Sequence, residues 1–315
     1  MSKQFLQDVE EGLSKSKKTI PSKYFYDKRG DELFIKIMHL PEYYLTRSEL
    51  EIFQTKTAQI IEALALSPSS YFELIELGAG DGLKTLELLK SLEVQNFSFD
   101  YMPIDISMNA LELIAEKLKG ALPSLSIKKQ QGDYFKILDS LKATSHPKVV
   151  LFLGSSIGNM EDEEAIGFLS ALGNNLSKGD KLLLGVDLIK PASVVLPAYN
   201  DSQGVTRDFN LNLLRRINEE LHGDFNLNEF EHIPSYSEED GYARSYLKSR
   251  KDQKVRINGN GNFYELKEGE QIQTEVSRKY NDEIINAILE KTNFEIQSKI
   301  TDNKGYFANY VLNRV

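Results

Sequence analysis

A chain of 315 residues with 41% apolar and 27% charged residues is long enough for about two globular domains. Its 38 Lys and Arg against 47 Asp and Glu leave a net charge of −9. That excess argues against nucleic acid as the main partner, because phosphate neutralisation needs clustered basic groups. The lack of any cysteine excludes disulfides, thiolate zinc sites and thiol nucleophiles.

The opening residues, "MSKQFLQDVEEGLSKSKKTIPSKYF", have no apolar run of signal-peptide length, and no stretch approaches the roughly 18 apolar residues of a membrane span. A cytoplasmic protein with no membrane partner is therefore expected. The four histidines, His39, His146, His222 and His232, stand at no helical ligand spacing and have no carboxylate cluster around them. No metal site is expected from them. No G-x-S-x-G elbow occurs either, which removes one common hydrolase arrangement.

From about residue 48 the pattern becomes regular. "SELEIFQTKTAQIIEALAL" predicts a helix with Leu50, Phe53, Ile60, Ile61 and Leu64 on its apolar side. "SYFELIEL" predicts a buried strand ending in the turn "GAGDG", and "LKTLELLKSL" a helix. "FSFDYMPIDIS" is a second strand closed by Asp105, and Ser107 can cap the helix "MNALELIAEKLKGAL", which stops at Pro123. "LSIKKQQGDYF" reads as a weaker third strand and "KVVLFLGSSIGN" as a strongly apolar fourth. The helix "MEDEEAIGFLSALGNNL" follows, with acidic residues at its positive end, and then the strand "DKLLLGVDLI". Apolar strands alternating with amphipathic helices indicate a parallel sheet covered on both faces.

The alternation breaks after Ile189. The segment 190–279 mixes the helix "TRDFNLNLLRRINEELHG" with polar, tyrosine-containing stretches that predict antiparallel strands joined at "NGNGN". "DFNLN" occurs at Asp208 and again at Asp224, which is too little for a repeat. The core pattern then resumes with the helix "NDEIINAILEKTN" and a closing strand pair turning at Asn303–Gly305. The fold expected is an α/β Rossmann-type core with a parallel sheet and a closing antiparallel pair, plus a second α+β domain. Residues 48–189 and 280–315 would form the core, and 1–47 with 190–279 the second domain.

"ELGAGDGLKT" places a glycine turn between a strand and a helix, where backbone N–H groups can approach a ligand. Counting from Gly78 gives Gly80 and then Leu83 where a dinucleotide fingerprint needs its third glycine. G-x-G-x-G is instead common among proteins that bind S-adenosylmethionine; a tight turn needing glycine is the competing reading. Asp105 lies 27 residues after Gly78, at the end of the next strand. A carboxylate there can accept the hydroxyl hydrogens of a ribose, and a helix-capping role is its rival. Asp133 in "GDY" sits where an adenine amino group could be read, and "GSSIGN" follows the fourth strand. All these loops lie at the carboxyl ends of parallel strands, where such sheets bind ligands.

Together with "YFYDKRGDELF", "LPEYYLTR", "PIDIS", "LLLGVDLIK", "AYNDSQGVTRDFNLN", "FEHI" and "TEVSRKY", these stretches closely resemble the histidine-specific N-alpha-methyltransferases of ergothioneine biosynthesis. The similarity runs from about Tyr24 to the end of the chain. It implies a transferase core for S-adenosylmethionine and a second domain that grips a free amino acid, with L-histidine the expected acceptor and a monomer the expected state. By the family pattern Gly78, Lys84, Asp105, Asp133 and Tyr134 would contact the donor. Asn159 and Tyr199 would hold the substrate carboxylate, and Tyr26 would sit near the amine as the catalytic candidate. Tyr43, Glu275 and Ser277 would read the imidazole.

Each has a plainer alternative: ring burial for Tyr26 and Tyr43, a helix cap for Asn159, and a solvent-facing strand for Glu275 and Ser277. Tyr24 and Tyr44 read as packing residues. The sequence departs from the family at "ARSYLK", where a Glu–Met pair beside the ring pocket is replaced by Arg244 and Ser245. Serine leaves more room and polarity, and arginine reverses a charge. The same chemistry on another amino acid, and a noncatalytic binding protein, therefore stand as alternatives.

Overall fold

The computed structural model describes residues 3–78, 80–142, 145–257 and 261–315. The chain divides into two compact units. One holds the residues up to Tyr44 together with Lys190–Lys279, and the other holds Leu45–Ile189 with Tyr280–Val315.

The second unit is built on a seven-stranded sheet. Its order is Phe294–Thr301, Phe307–Arg314, Lys181–Asp187, Lys148–Phe152, Phe72–Leu77, Phe99–Asp105 and Gln130–Gln131. Only Phe307–Arg314 runs against the others. Its central strands are apolar at consecutive positions because both faces are covered. Leu74, Val149 and Leu183 join one apolar cluster, while their neighbours Ile75, Val150, Leu182 and Leu184 join the other. Each such fully buried side chain contributes about 1.5–3 kcal/mol. The chain enters the sheet at Phe72–Leu77, moves outward to Phe99–Asp105 and Gln130–Gln131, and then crosses to Lys148–Phe152 on the other side. Such a reversal opens a crevice at the carboxyl ends of the two inner strands.

Two departures from the expected elements have local causes. The helix expected from residue 48 is two helices, Tyr44–Thr55 and Thr57–Leu64, divided at Lys56. The hydroxyls of Thr55 and Thr57 donate back to the carbonyls of Glu51 and Phe53, and such bonds bend helices. The weak third strand is only Gln130–Gln131, after which Tyr134–Leu141 is helical. Asp133 accepts from the N–H groups of Phe135 and Lys136, both at 3.1 Å, and this cap overrides the strand tendency of the adjoining aromatics.

In the first unit, two helices, Lys3–Ser14 and Lys28–Met38, occupy the part before residue 48 where the sequence pattern assigned none. They fold with the inserted segment: Lys18–Thr19 pairs in parallel with Ile272–Gln273, and helix Val205–Leu221 buries Phe209, Leu213 and Ile217 among Phe5, Phe25, Leu33 and Leu247. The sheet order is Lys18–Thr19, Gln271–Arg278, Tyr242–Ser249 and Phe230–Tyr236. Gln253–Ile257 and Asn262–Leu266 form a separate antiparallel pair. Asn258, Gly259 and Asn260 of the "NGNGN" turn expected between them lie outside the described residues. The first "DFNLN" is helical, whereas the second leads into a short 3-10 turn at Leu227–Glu229, so the shared string carries no shared structure.

Asp302 clasps the closing hairpin of the core. It is 2% exposed, and its carboxylate accepts from the N–H groups of Tyr306 (2.6 Å), Phe307 (2.8 Å) and Lys304 (3.3 Å). Asp302→Ala leaves those donors without their acceptor and should cost about 3 kcal/mol in chemical denaturation. A loss below about 1 kcal/mol would show that the turn holds without the clasp.

Candidate active site

The core unit gathers its candidate residues at the carboxyl ends of its strands. Gly78, Gly80 and Gly82 have φ of 71°, 54° and 66°, the left-handed region where only glycine is unstrained. A Cβ on Gly78 would stand 3.0 Å from the Tyr134 hydroxyl, whereas one on Gly80 would meet nothing within 4 Å. The loop is therefore both a tight turn and an open backbone surface. Asp105 ends its strand and accepts from the N–H of Ser107 at 2.9 Å. Burial pushes its carboxyl above the ordinary range, against the pull of the Ser107 and Ile106 N–H groups. The cap of the following helix is Ser107, which accepts from Ala110 N–H, so Asp105 is not spent on capping. Burial first, then Asp105 and Asp133, push the Tyr134 phenol up to about 12.

Lys84 pairs with Glu49 at 2.5 Å. Glu49 is wholly buried and also accepts from Gly154 N–H (2.9 Å) and the Asn309 amide (3.1 Å). A Cβ on Gly185 would reach within 2.2 Å of it, so the strand must pass there as glycine. In "GSSIGN", Gly154 and Ser155 both have positive φ, and Ser155 accepts from the N–H of Asp187 on the next strand. A non-glycine residue held there is a local strain of the kind found at binding sites. Asn159 ends a 3-10 turn and is exposed. The cap of the next helix is Glu161, in a reciprocal box with Glu164, which leaves Asn159 free of that duty.

The other unit gathers a different set. Tyr24 and Tyr44 are buried, and their hydroxyls meet Asp8 (2.7 Å) and the Lys190 ammonium (3.0 Å). Tyr26 and Tyr43 instead face a ring cluster. Phe34 stands edge-on to both, with centroids at 5.7 and 6.3 Å, and Phe209 lies 5.9 Å from Tyr26. Tyr26 keeps 43% of its surface exposed. Its low-dielectric surroundings first, and Glu275 and Asp31 next, hold its phenol pKa above the usual value.

Strand alternation sets Glu275 and Ser277 on one face, and Lys279, the first residue past the strand, brings its ammonium to the same side. Ser245, opposite Glu275 in the ladder and fully buried, donates to its carboxylate at 2.9 Å. Burial raises the Glu275 pKa, against the pull of Ser245 and Lys279. Lys279 is 0% exposed and donates to the Tyr199 hydroxyl and to Ser277 Oγ, each at 2.7 Å. Tyr199 in turn donates to Ser277 at 2.7 Å. Arg244 does not share this face, contrary to its expected place beside the ring pocket. Alternation turns it the other way, with its guanidinium 4.2 Å from the Tyr242 ring centroid and 3.6 Å from Asp240.

The sequence model of a family described as "Histidine-specific methyltransferase, SAM-dependent" matches residues 5–314. The chain belongs to this family. It is 35% identical over 302 residues to the histidine N-alpha-methyltransferase of Mycolicibacterium smegmatis, covering 96% of this chain and 92% of that protein. The Mycobacterium tuberculosis enzyme of the same description is 34% identical with the same coverage. Among solved structures, mitomycin 7-O-methyltransferase MmcR matches with a TM-score of 0.50 and 14% identity, over 99% of this chain and 66% of that one, which supports the methyltransferase fold.

As an S-adenosylmethionine-dependent methyltransferase, the protein must present a donor site, and the residues at the strand ends fit one. The loop is bare of side chains at three positions, and no side chain among the described residues pairs with the Asp105 carboxylate. Asp133 is half committed, since one of its oxygens caps a helix. Sequence reasoning missed Lys279 and Glu49. Lys279 was within reach, because the spacing of "EVSRK" repeats the two-residue period that pairs Glu275 with Ser277. Ser245 was singled out for room and polarity, and its bond to Glu275 was not foreseen. Glu49 carries no signal in its own helix, since its partners come from three separate segments.

Glu76, beside the glycine loop, accepts from Thr85 (2.7 Å) and Tyr101 (2.5 Å), and burial pushes its pKa to about 7. A carboxyl raised on folding holds its proton longer in the native state. Stability should therefore fall as pH rises from about 4.5 to about 7, by up to about 3 kcal/mol. Glu76→Gln carries no such charge, so its stability relative to the parent should climb across that window. A pH-independent difference between the two would return Glu76 to the ordinary range.

Proposed function

We propose that the protein methylates the α-amino group of free L-histidine, up to the trimethylated betaine. The observation that carries this reading is the row of partly buried Glu275 and buried Ser277 and Lys279 beside Tyr199. It offers a carboxylate acceptor, hydroxyls and a cation in one row, a set suited to a polar ring and an anionic head group. The names of the mycobacterial relatives support the same substrate. Ser245 favours a polar ring over an apolar one, because its hydroxyl is engaged with Glu275 instead of merely enlarging the pocket.

The site residues divide by chemistry. Gly78, Lys84, Asp105, Asp133 and Tyr134 would hold S-adenosylmethionine, with Lys84 also bound to Glu49. When bound, the donor supplies an electrophilic methyl group on sulfur. Asn159 and Tyr199 take the carboxylate of the amino acid, and Tyr43, Glu275 and Ser277 take its ring. The amine has to lose a proton before it can attack. If its pKa lies one to two units above ambient, this costs about 1.4–2.8 kcal/mol. Holding the amine in a near-attack arrangement is worth roughly 7–11 kcal/mol, so positioning outweighs basicity. Tyr26 fits that balance: a phenol held above its usual pKa stays protonated and relays a proton through hydrogen bonds instead of acting as a base. The rings of Tyr26, Phe34 and Phe209 can tolerate the fixed positive charge of the product through cation–π attraction.

Incubation with S-adenosylmethionine and each of the twenty amino acids, read by mass, tests the reading directly. Histidine should gain methyl groups, and histamine, which lacks the carboxylate, should be a poor acceptor. Preferential methylation of tryptophan or tyrosine would refute the imidazole assignment while sparing the amino-acid one. Asp105→Ala should weaken donor binding by about 1.5–3 kcal/mol in calorimetric titration, and unchanged affinity would remove Asp105 from the site. Glu275→Ala should lower kcat/KM for histidine about tenfold or more and narrow its lead over phenylalanine. An unaltered lead would mean that Glu275 does not read the ring.

A further inference from the structure

Lys279 is a fully buried ammonium to which the roles assigned above give no contact with the reacting groups. It lies two residues beyond Ser277, just past the end of the strand, and donates to both hydroxyls assigned to the substrate, Tyr199 and Ser277. An ammonium has only donors, whereas a hydroxyl can donate or accept and turns to suit its neighbours. Each hydroxyl bound to Lys279 must therefore accept from it, and its own proton must point elsewhere. In this structure the Tyr199 proton points at Ser277, whose oxygen then accepts from two donors. The Ser277 proton remains to be given away.

We propose that Lys279 is a positioning residue that sets the hydrogen-bond polarity of the amino-acid site. Its N–H groups fill one lone pair on each hydroxyl, which turns the proton of Ser277, and that of Tyr199 once a stronger acceptor than Ser277 is present, toward the ligand. The site so polarised matches a ligand with two acceptors, a carboxylate and an unprotonated ring nitrogen. Opposite them, Glu275 can only accept when ionised, so the ring must also carry one N–H. A neutral imidazole in a single tautomer meets both demands. Glu275 is kept to its acceptor role in part by Lys279, whose charge favours the ionised carboxylate. The inference rests on the reading of Tyr199 and Ser277 as substrate groups and adds to it the reason why they donate.

The test uses the full-length enzyme and two variants. Lys279→Gln keeps a donor but adds a carbonyl acceptor, so the hydroxyls are free to turn. Lys279→Met removes charge and hydrogen bonding at similar volume, and if it fails to fold, the Gln variant decides alone. Donor affinity and melting temperature check the fold. The expected result for Lys279→Gln is a KM for histidine raised about tenfold with kcat changed much less. Its preference for histidine over pyrrolylalanine, whose ring has an N–H but no acceptor nitrogen, should narrow by a similar factor. Placed on Ser277→Ala, the same change should leave that preference where Ser277→Ala alone puts it. Equal losses on the two substrates, with the preference intact, would overturn the proposal and leave Lys279 a structural cation. If Ser277→Ala alone leaves the preference intact, the ring reading of Ser277 fails first, and the proposal with it.

Discussion

The core unit of this protein depends on one buried charge. Glu49 is shut off from solvent, and a carboxylate so placed is tolerated only when its lone pairs are met. Its partners are the Lys84 ammonium, the Gly154 N–H and the Asn309 amide, and Gly185 makes the space it occupies. These groups come from the first turn of the helix after the glycine loop, the turn after a central strand, and the two strands beyond it. One side chain thus fixes the relative positions of the segments that carry Gly78, Lys84 and "GSSIGN". Removing it would leave Lys84 as a largely buried cation without its counter-charge, which is why the pair must stand or fall together.

The other unit solves a different problem. It must keep buried polar groups satisfied, and it does so by pairing them with one another. Glu275 and Ser277 alternate along a strand whose opposite-facing residues are buried, and Lys279 follows at its end. Ser245 and Lys279 keep the Glu275 carboxylate available although burial works against its charge. The surrounding rings of Tyr26, Phe34, Tyr43 and Phe209 supply apolar area with few rotatable bonds. This is what the run of tyrosines near the amino terminus is for in part: Tyr24 and Tyr44 hold the structure from inside, while Tyr26 and Tyr43 present faces to the ring cluster.

Where the sequence misled, a short-range interaction had been weighed without its competitors. Strand tendency at "GDYF" lost to the cap that Asp133 makes, and a continuous helical pattern lost to two threonines bonding back to the preceding turn. Arg244 was placed beside the ring because position along the chain was read without the facing of the strand. The two helices before residue 48 went unassigned because their apolar faces are completed by Phe209, Leu213 and Leu247, which lie far along the chain.

The sequence by itself determined the α/β core, the glycine turn with Asp105 one strand later, and membership of the methyltransferase family. Strand runs, loop glycines and motif strings are local features, and local features survive in a linear reading. Only the tertiary structure decided which polar groups answer one another. That Lys84 meets Glu49, that Ser245 supports Glu275, and that Lys279 holds both Tyr199 and Ser277 depend on contacts across 30 residues or more in most cases. In a low-dielectric interior those contacts decide the charge and the direction of every hydrogen bond in the site.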